Sequence, residues 1–237
     1  MTGKTGTRGQ RVILASWLAV IGLAAAAFLV RSPAMPAASG MPAAALPAPT
    51  VDEPTTGQSK TETAVLAGGC FWGVQGVFQH VKGVSAATSG YAGGDKATAD
   101  YDTVSSGTTK HAESVQITYD PSQITYGQLL RVFFDVVQDP TELNYQGPDV
   151  GPQYRSVVFT QNDNQQKIAN AYIAQLNAAG AFPAPIVTTV TPGAQFFPAE
   201  AYHQNFFDLH PNNPYIVAND LPKLGALKSD FPDLYRD

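Results

Sequence analysis

Cysteine is almost absent from this 237-residue sequence: Cys70 stands alone. A single thiol excludes an intramolecular disulfide framework, a zinc knuckle and a two-cysteine redox motif within the chain. Thiol chemistry therefore rests on Cys70 and a second thiol from outside. Positive charge is also scarce, with 14 Lys and Arg against 19 Asp and Glu and a net charge of −5. From Glu62 onward 9 basic residues face 17 acidic ones, near −8, without the basic stripe that a duplex nucleic acid requires. Charged residues are only 14% and hydrophobic ones 44%, too apolar a balance for an intrinsically disordered chain. There is no internal repeat. His203 and His210 stand apart with no carboxylate or Cys companion in metal-ligand spacing, so the sequence predicts no metal site.

What is present begins with an address. Val12 to Val30 is an uncharged, mostly apolar run, preceded by Lys4, Arg8 and Arg11 and followed by Arg31. At about 1.5 Å per residue such a helix nearly matches a bilayer core. The basic flank keeps the N-terminus in the cytoplasm and sends the body across. Residues 1–31 therefore read as a signal peptide or a membrane anchor. The run exceeds the roughly 7–15 residues of a signal core, which favours the anchor, although small residues suited to cleavage follow at Pro36-Ala37-Ala38. Either way the body is expected to be extracytoplasmic, in the periplasm or cell envelope, secreted or anchored. Residues 32–61 hold six prolines and seven alanines and predict a disordered, extended Pro/Ala-rich linker. The folded domain is expected over 62–237.

Within that domain Thr63 to Ala67 reads as a short buried strand closed by Gly68-Gly69. Val74, Val77, Phe78 and Val81 then recur at helical spacing. Strands are expected at Val84–Tyr91, Ser114–Tyr119, Arg155–Thr160 and Ile186–Thr191. Helices are expected at Thr125–Gln138, Asn164–Ala179 and Ala201–Leu209, the first of these with a broad apolar face. Interleaved strands and one-sided helices predict an α+β fold, a single two-layer α/β sandwich with a mixed sheet covered by helices. The proline-rich tail after Pro211 is expected to wrap the surface.

Cys70 lies in GGCFWG, between a strand and the first turn of a helix. Unpaired N–H groups at a helix start favour negative charge, which predicts a thiol that ionises easily. Gly68 and Gly69 remove side chains that would bar a substrate from the sulfur. A lone cysteine is ordinarily a small buried hydrophobe, yet two adjacent large aromatics, Phe71 and Trp72, are poorly explained by core packing, because successive positions point in different directions. Glu113, at the entrance of the strand SVQITY, is placed where burial would keep a carboxyl protonated as a proton donor. His111 offers another chemistry, a Cys–His pair of the hydrolase or thiol-peroxidase type. A binding module without turnover is a third reading. The residues alone leave these open.

GGCFWGVQGVF, SGYAGG, YDTVSSG, HAESVQITYDP, LNYQGPDVGPQYRSVVF and AEAYHQNFF follow one another in this order. Together they resemble the A-type peptide methionine sulfoxide reductases over roughly Thr63 to Pro214. The resemblance implies that Cys70 is the nucleophile attacking the sulfoxide sulfur and Glu113 the proton donor to its oxygen. It implies that Tyr101 and Tyr154 bind that oxygen and that Asp149 fixes the same pocket. Phe71 and Trp72, with Gly69 beside them, would bind the substrate and its methyl group, a use suited to sulfur–aromatic contact. The products would be methionine, from the S-epimer, and a Cys70 sulfenic acid, the reversible first step of thiol oxidation. No bound cofactor is implied. Substrates would be methionine sulfoxide, free or in oxidised peptides and proteins.

The sequence also departs from the family pattern. Its tail, Leu221 to Asp237, lacks the further cysteine that many members use to form a disulfide, and Ser105 stands where some relatives carry one. The resemblance then implies an external reductant, a thioredoxin-like protein or a small thiol. Gln75 replaces a usual Glu, Tyr145 a usual Arg, Pro152 a usual Thr and Phe206 a frequent Tyr.

Overall fold

The computed structural model of the chain describes residues 45–54 and 61–237. The apolar run 12–30 and the linker up to residue 44 lie outside the described residues. Among the described residues no helix is long and apolar enough to cross a membrane.

The elements run β1 (Glu62–Ala67), α1 (Phe71–Gln79), β2 (Val84–Ala92), α2 (Tyr101–Ser105), β3 (Ala112–Tyr119), α3 (Tyr126–Val132), β4 (Tyr145–Gln146), β5 (Asp149–Val150), β6 (Val157–Thr160), α4 (Asp163–Ala178), β7 (Thr189–Pro192), β8 (Phe196–Pro198), α5 (Phe206–Leu209) and α6 (Leu221–Asp230). Wider π-type turns at Phe133–Val137 and Ile216–Asp220 extend α3 and lead into α6. Six strands form one mixed sheet in the order β7-β6-β1-β3-β2-β8, with β6 and β7 parallel and the other neighbours antiparallel. β4 and β5 form a separate hairpin. A mixed sheet with helices is what the interleaved pattern predicts.

β1 is central and its side chains alternate between two cores. Ala64 and Leu66 join α1, α3 and α4 in the main cluster through Val74, Phe78, Leu129, Leu130, Ile168 and Tyr172. Val65 and Ala67 face a smaller cluster with Ala92, Val157 and Phe159, against which Phe196 packs. That two-sided burial explains why β1 reads as an unbroken apolar run rather than an alternation.

Three expectations need correction. The strand expected from Ile186 begins at Thr189, because the Ile186 N–H donates to Asn177 Oδ1 and the Val187 N–H to the Pro140 carbonyl. The helix expected over Ala201–Leu209 is two pieces, broken at Asn205, whose φ is 57°. The third concerns the linker. Residues 45–54, expected to be disordered, lie against the body as an extended strap. Ala45, Leu46 and Val51 pack on the main core. Tyr172 Oη donates to the Pro47 carbonyl at 2.8 Å, and Gln175 Nε2 to the Ala48 carbonyl at 2.9 Å. Asp52 accepts from the Gly127 N–H (2.8 Å) and the Thr125 hydroxyl, and Glu53 accepts from the Tyr126 N–H (2.7 Å). Composition misled here for a physical reason: proline-rich backbone is already extended, so it loses little entropy on docking and offers unpaired carbonyls to side-chain donors.

Candidate active site around Cys70

The chain leaves β1 through Gly68-Gly69 and enters α1 with Cys70 at the N-cap. Gly69 has φ +94°, where only glycine sits without strain. A Cβ on it would lie 2.8 Å from Gln146 Cβ, and one on Gly68 2.8 Å from the Phe133 ring. The space left by these glycines is thus occupied by the protein, not held open toward the sulfur as expected from the sequence.

Cys70 makes no side-chain capping bond. The first free N–H of α1, that of Phe71, instead donates to Glu113 Oε2 at 3.0 Å. Glu113 comes from β3, where it is 2% exposed opposite Tyr91 of β2. Burial, reinforced by the charge of Asp149 and opposed by the Phe71 N–H, pushes its carboxyl up to about 8. It therefore carries a proton at neutral pH, as its sequence position predicts. The Cys70 thiol departs from expectation. Burial pushes it well above its ordinary value, with Glu113 once it ionises above about pH 8, and Asp220 and Asp149, acting in the same direction and the Trp72 N–H opposing them. Lost hydration and three carboxyl groups outweigh the helix start.

Phe71 and Trp72 diverge as their adjacency requires. Phe71 turns into the core, 1% exposed, and Trp72 lies along the site. Phe206 stacks on Trp72 at 3.8 Å and 10°, and Tyr215 meets it edge-on at 5.9 Å. Trp72 Nε1 donates to His203 Nδ1 at 3.1 Å, so a neutral His203 carries its proton on Nε2. Burial holds the His203 imidazole below its ordinary value. The same ring lies 5.0 Å from Phe71 and 4.5 Å from Tyr101, closing an aromatic wall. His111 belongs to another neighbourhood: its Nε2 bonds the Asp95 carbonyl at 3.0 Å and its ring contacts Tyr91 and Phe197.

Tyr101 opens α2, its N–H donating to Glu200 Oε1 at 2.9 Å, while Tyr91 Oη donates to Glu200 Oε2 at 2.9 Å. Tyr154 ends the short turn Pro152–Tyr154, which Pro152 starts. Burial raises both phenols, and ionisation of Glu113 or Cys70 would raise them further. Both thus stay protonated and able to donate. Asp149 sits on the β4–β5 hairpin and accepts a short hydrogen bond from Tyr215 Oη. A cleft of about 260 Å³ opens beside Cys70, lined among others by Gln146, Asp149, Tyr215, Asn219 and Lys223. Among the described residues no group of three or more His, Cys, Asp or Glu is placed to hold a metal ion.

Sequence reasoning misses Tyr215, Asn219, Asp220 and Lys223, all from the tail. A signal existed: Tyr215, Asn219 and Lys223 recur every fourth residue and form one helical face. Glu200 and His203 lie in the segment AEAYHQNFF, but their partners are far away in sequence, so nothing local assigned either a role. The departures find their places too. Gln75 is buried, its Nε2 donating to the Ala87 carbonyl (2.8 Å) and to Gln204 Oε1 (3.0 Å), and its Oε1 accepting from the Asn205 N–H (2.8 Å). Tyr145 pairs with Val150 and is 40% exposed.

The family model described as peptide methionine sulfoxide reductase matches residues 62–233. The chain belongs to that family. It is 63% identical over 177 residues to peptide methionine sulfoxide reductase MsrA 2 of Mesorhizobium japonicum, covering 75% of this chain and 91% of that one. It is 47% identical over 190 residues to MsrA 2 of Synechocystis, covering 79% and 89%. Among solved structures it is similar to reduced Mxr1 of Saccharomyces cerevisiae (TM-score 0.58, 33% identity, 65% of this chain and 88% of that one). Methionine sulfoxide reductase A of Corynebacterium diphtheriae gives a TM-score of 0.55 at 33% identity, covering 73% and 88%. As a peptide methionine sulfoxide reductase the chain is an oxidoreductase that reduces methionine sulfoxide to methionine.

Proposed function

We propose that the chain reduces the S-epimer of methionine sulfoxide, free or in peptides, with Cys70 as nucleophile and Glu113 as general acid. The observation that carries this reading is the buried Glu113 carboxyl, bonded to the N–H next to Cys70 and pushed up to about 8 by that burial. The sulfoxide oxygen is a poor leaving group until protonated. Glu113 gives it a proton while Tyr101 and Tyr154 donate hydrogen bonds to it. The hydroxysulfonium so formed is positive at sulfur, which lowers the cost of a thiolate at Cys70 despite its raised thiol. Sγ attacks the substrate sulfur, an Sγ–S bond forms as the S–O bond breaks, and the oxygen leaves as water with the thiol's proton. Water then attacks Sγ, the Sγ–S bond breaks, methionine leaves, Glu113 recovers its proton and Cys70 is left as a sulfenic acid. Trp72 walls the methyl group, with Phe71 behind it in the core against His203, and Asp149, braced by Tyr215, fixes the other side. No bound cofactor takes part, and an external thiol, small or on a thioredoxin-like protein, returns Cys70 to its reduced state. The apolar run 12–30, read from its sequence as a signal peptide or membrane anchor, supports work outside the cytoplasm on oxidised envelope proteins.

The reduced full chain is mixed with each epimer of a methionine sulfoxide peptide without reductant. A burst of about one methionine per chain from the S-epimer, lost in Cys70→Ser, is expected. Equal bursts from both epimers, or a burst surviving in Cys70→Ser, would overturn the reading.

A further inference from the structure

The tail brings a charge pair to the site that the steps above do not use. Asp220 is fully buried, and its carboxylate lies against the first turn of α1, where a Cβ on Gly73 would stand 2.1 Å from Oδ1. Lys223, one turn on, holds its Nζ 3.3 Å from that Oδ1. The pair is oriented, with Asp220 inside at 0% side-chain exposure and Lys223 outside at 24%, lining the same cleft as Cys70. The other ionisable side chains lining the cleft, apart from Cys70 and Tyr215, are the acids Asp139, Glu142 and Asp149. A thiolate entering from solvent thus meets an acidic mouth on an acidic body, with Lys223 the one cation in the lining of the cleft that holds Cys70.

We infer that Lys223, positioned by the buried carboxylate of Asp220, is the docking charge for the external thiolate that resolves the Cys70 sulfenic acid, and that it selects anionic thiols over cationic ones. The inference rests on the proposed resolution by an external thiol. A thiolate R–S⁻ attacks Sγ of Cys70–S–OH, an S–S bond forms, the Sγ–O bond breaks, and hydroxide leaves as water with one proton. A second thiol then releases Cys70 and carries away R–S–S–R. The absence of a second cysteine makes this bimolecular encounter obligatory, so a steering charge acts on every turnover.

The test separates the two half-reactions in the full chain. Sulfenic acid is formed by one turnover of sulfoxide peptide and its decay is timed with 3-mercaptopropionate, 2-mercaptoethanol or cysteamine at matched thiolate concentration. Lys223→Gln is expected to slow resolution by 3-mercaptopropionate about tenfold, and by cysteamine least, the scale on which one partly buried charge acts on another in contact with it. Lys223→Arg should keep the wild-type order of the three thiols, and Lys228→Gln, whose ammonium lies over the Tyr235 ring, serves as the control. In the wild type, salt raised from about 0.02 to 0.5 M should compress the ratio between the anionic and cationic thiols. Lys223→Gln with unchanged rate constants and thiol order, or a wild-type ratio indifferent to salt, overturns the inference. A wild-type chain that forms no methionine in the first half-reaction overturns the reading of Cys70 instead.

Discussion

Replacing Glu113 by Gln isolates the free energy held in one buried proton. Glu113 is 2% exposed and its carboxyl lies at about 8 instead of 4.5, because burial disfavours its charge. The folded chain therefore keeps a proton that the unfolded chain releases as pH rises through 4.5. Stability on this account is highest below pH 4.5, falls between 4.5 and 8, and is level above. At about 1.36 kcal/mol per pH unit the whole loss is about 5 kcal/mol, a large part of a domain's roughly 5–15 kcal/mol. Glutamine has the same shape, and its Oε1 accepts from the Phe71 N–H, but it has no proton to lose. Urea unfolding of the full chain at pH 5, 6, 7 and 8, for wild type and Glu113→Gln, gives a difference curve from which other groups cancel. The variant should gain on the wild type by several kcal/mol across that range. The same variant should form methionine about 100- to 10,000-fold more slowly in a single turnover. A difference curve flat to within about 1 kcal/mol, a small fraction of the expected span, would show that Glu113 is ionised in the folded chain and would refute the proton-donor argument.

Gly73→Ala drives a methyl group to 2.1 Å from Asp220 Oδ1, so the tail must shift; a loss of about 1–3 kcal/mol is expected, read as a lower Tm. Gln75→Glu replaces the amide that donates to Ala87 and Gln204 with a buried acceptor. It should destabilise by about 1–3 kcal/mol at pH 8 and less at pH 5, where the acid can be protonated; urea midpoints at the two pH values test this. Tyr215→Phe removes the hydrogen bond to Asp149, worth about 1.5–3 kcal/mol for a charged acceptor. Its effect should fall on sulfoxide reduction more than on resolution, measured as the ratio of the two half-reaction rates.

The parts of the fold that were legible are those whose periodicity is local. β1, β2, β3 and the helices α1, α3 and α4 carry their pattern within one element, and Cys70 and Glu113 sit at element ends that the pattern marks. What escaped is set by partners distant in sequence. β8 is three residues long and gains its ladder only beside β2. The break at Asn205 follows a partly buried bond from its N–H to Gln75, 130 positions earlier. In the tail, prolines suggested turns, yet Pro222 occupies the first turn of α6, where a missing N–H costs nothing. The Cys70 thiol shows the same limit: the helix start is visible in sequence, whereas Asp149 and Asp220 reach the sulfur only through the fold.

The strap formed by residues 45–54 moves the working edge of the domain upstream of the family segment, which begins at residue 62. Asp52 and Glu53 supply acceptors to three consecutive residues at the beginning of α3, Thr125, Tyr126 and Gly127. A protein trimmed to the family boundary would keep every residue assigned to the chemistry and still be a different folding unit. Two of those helix-start amides would pass to water, and the apolar ground beneath Leu46 and Val51 would be bared. A protease that cut between residues 54 and 61 would turn that attachment from an intramolecular one into a dilution-sensitive one, so that the strap would dissociate as a peptide ligand does.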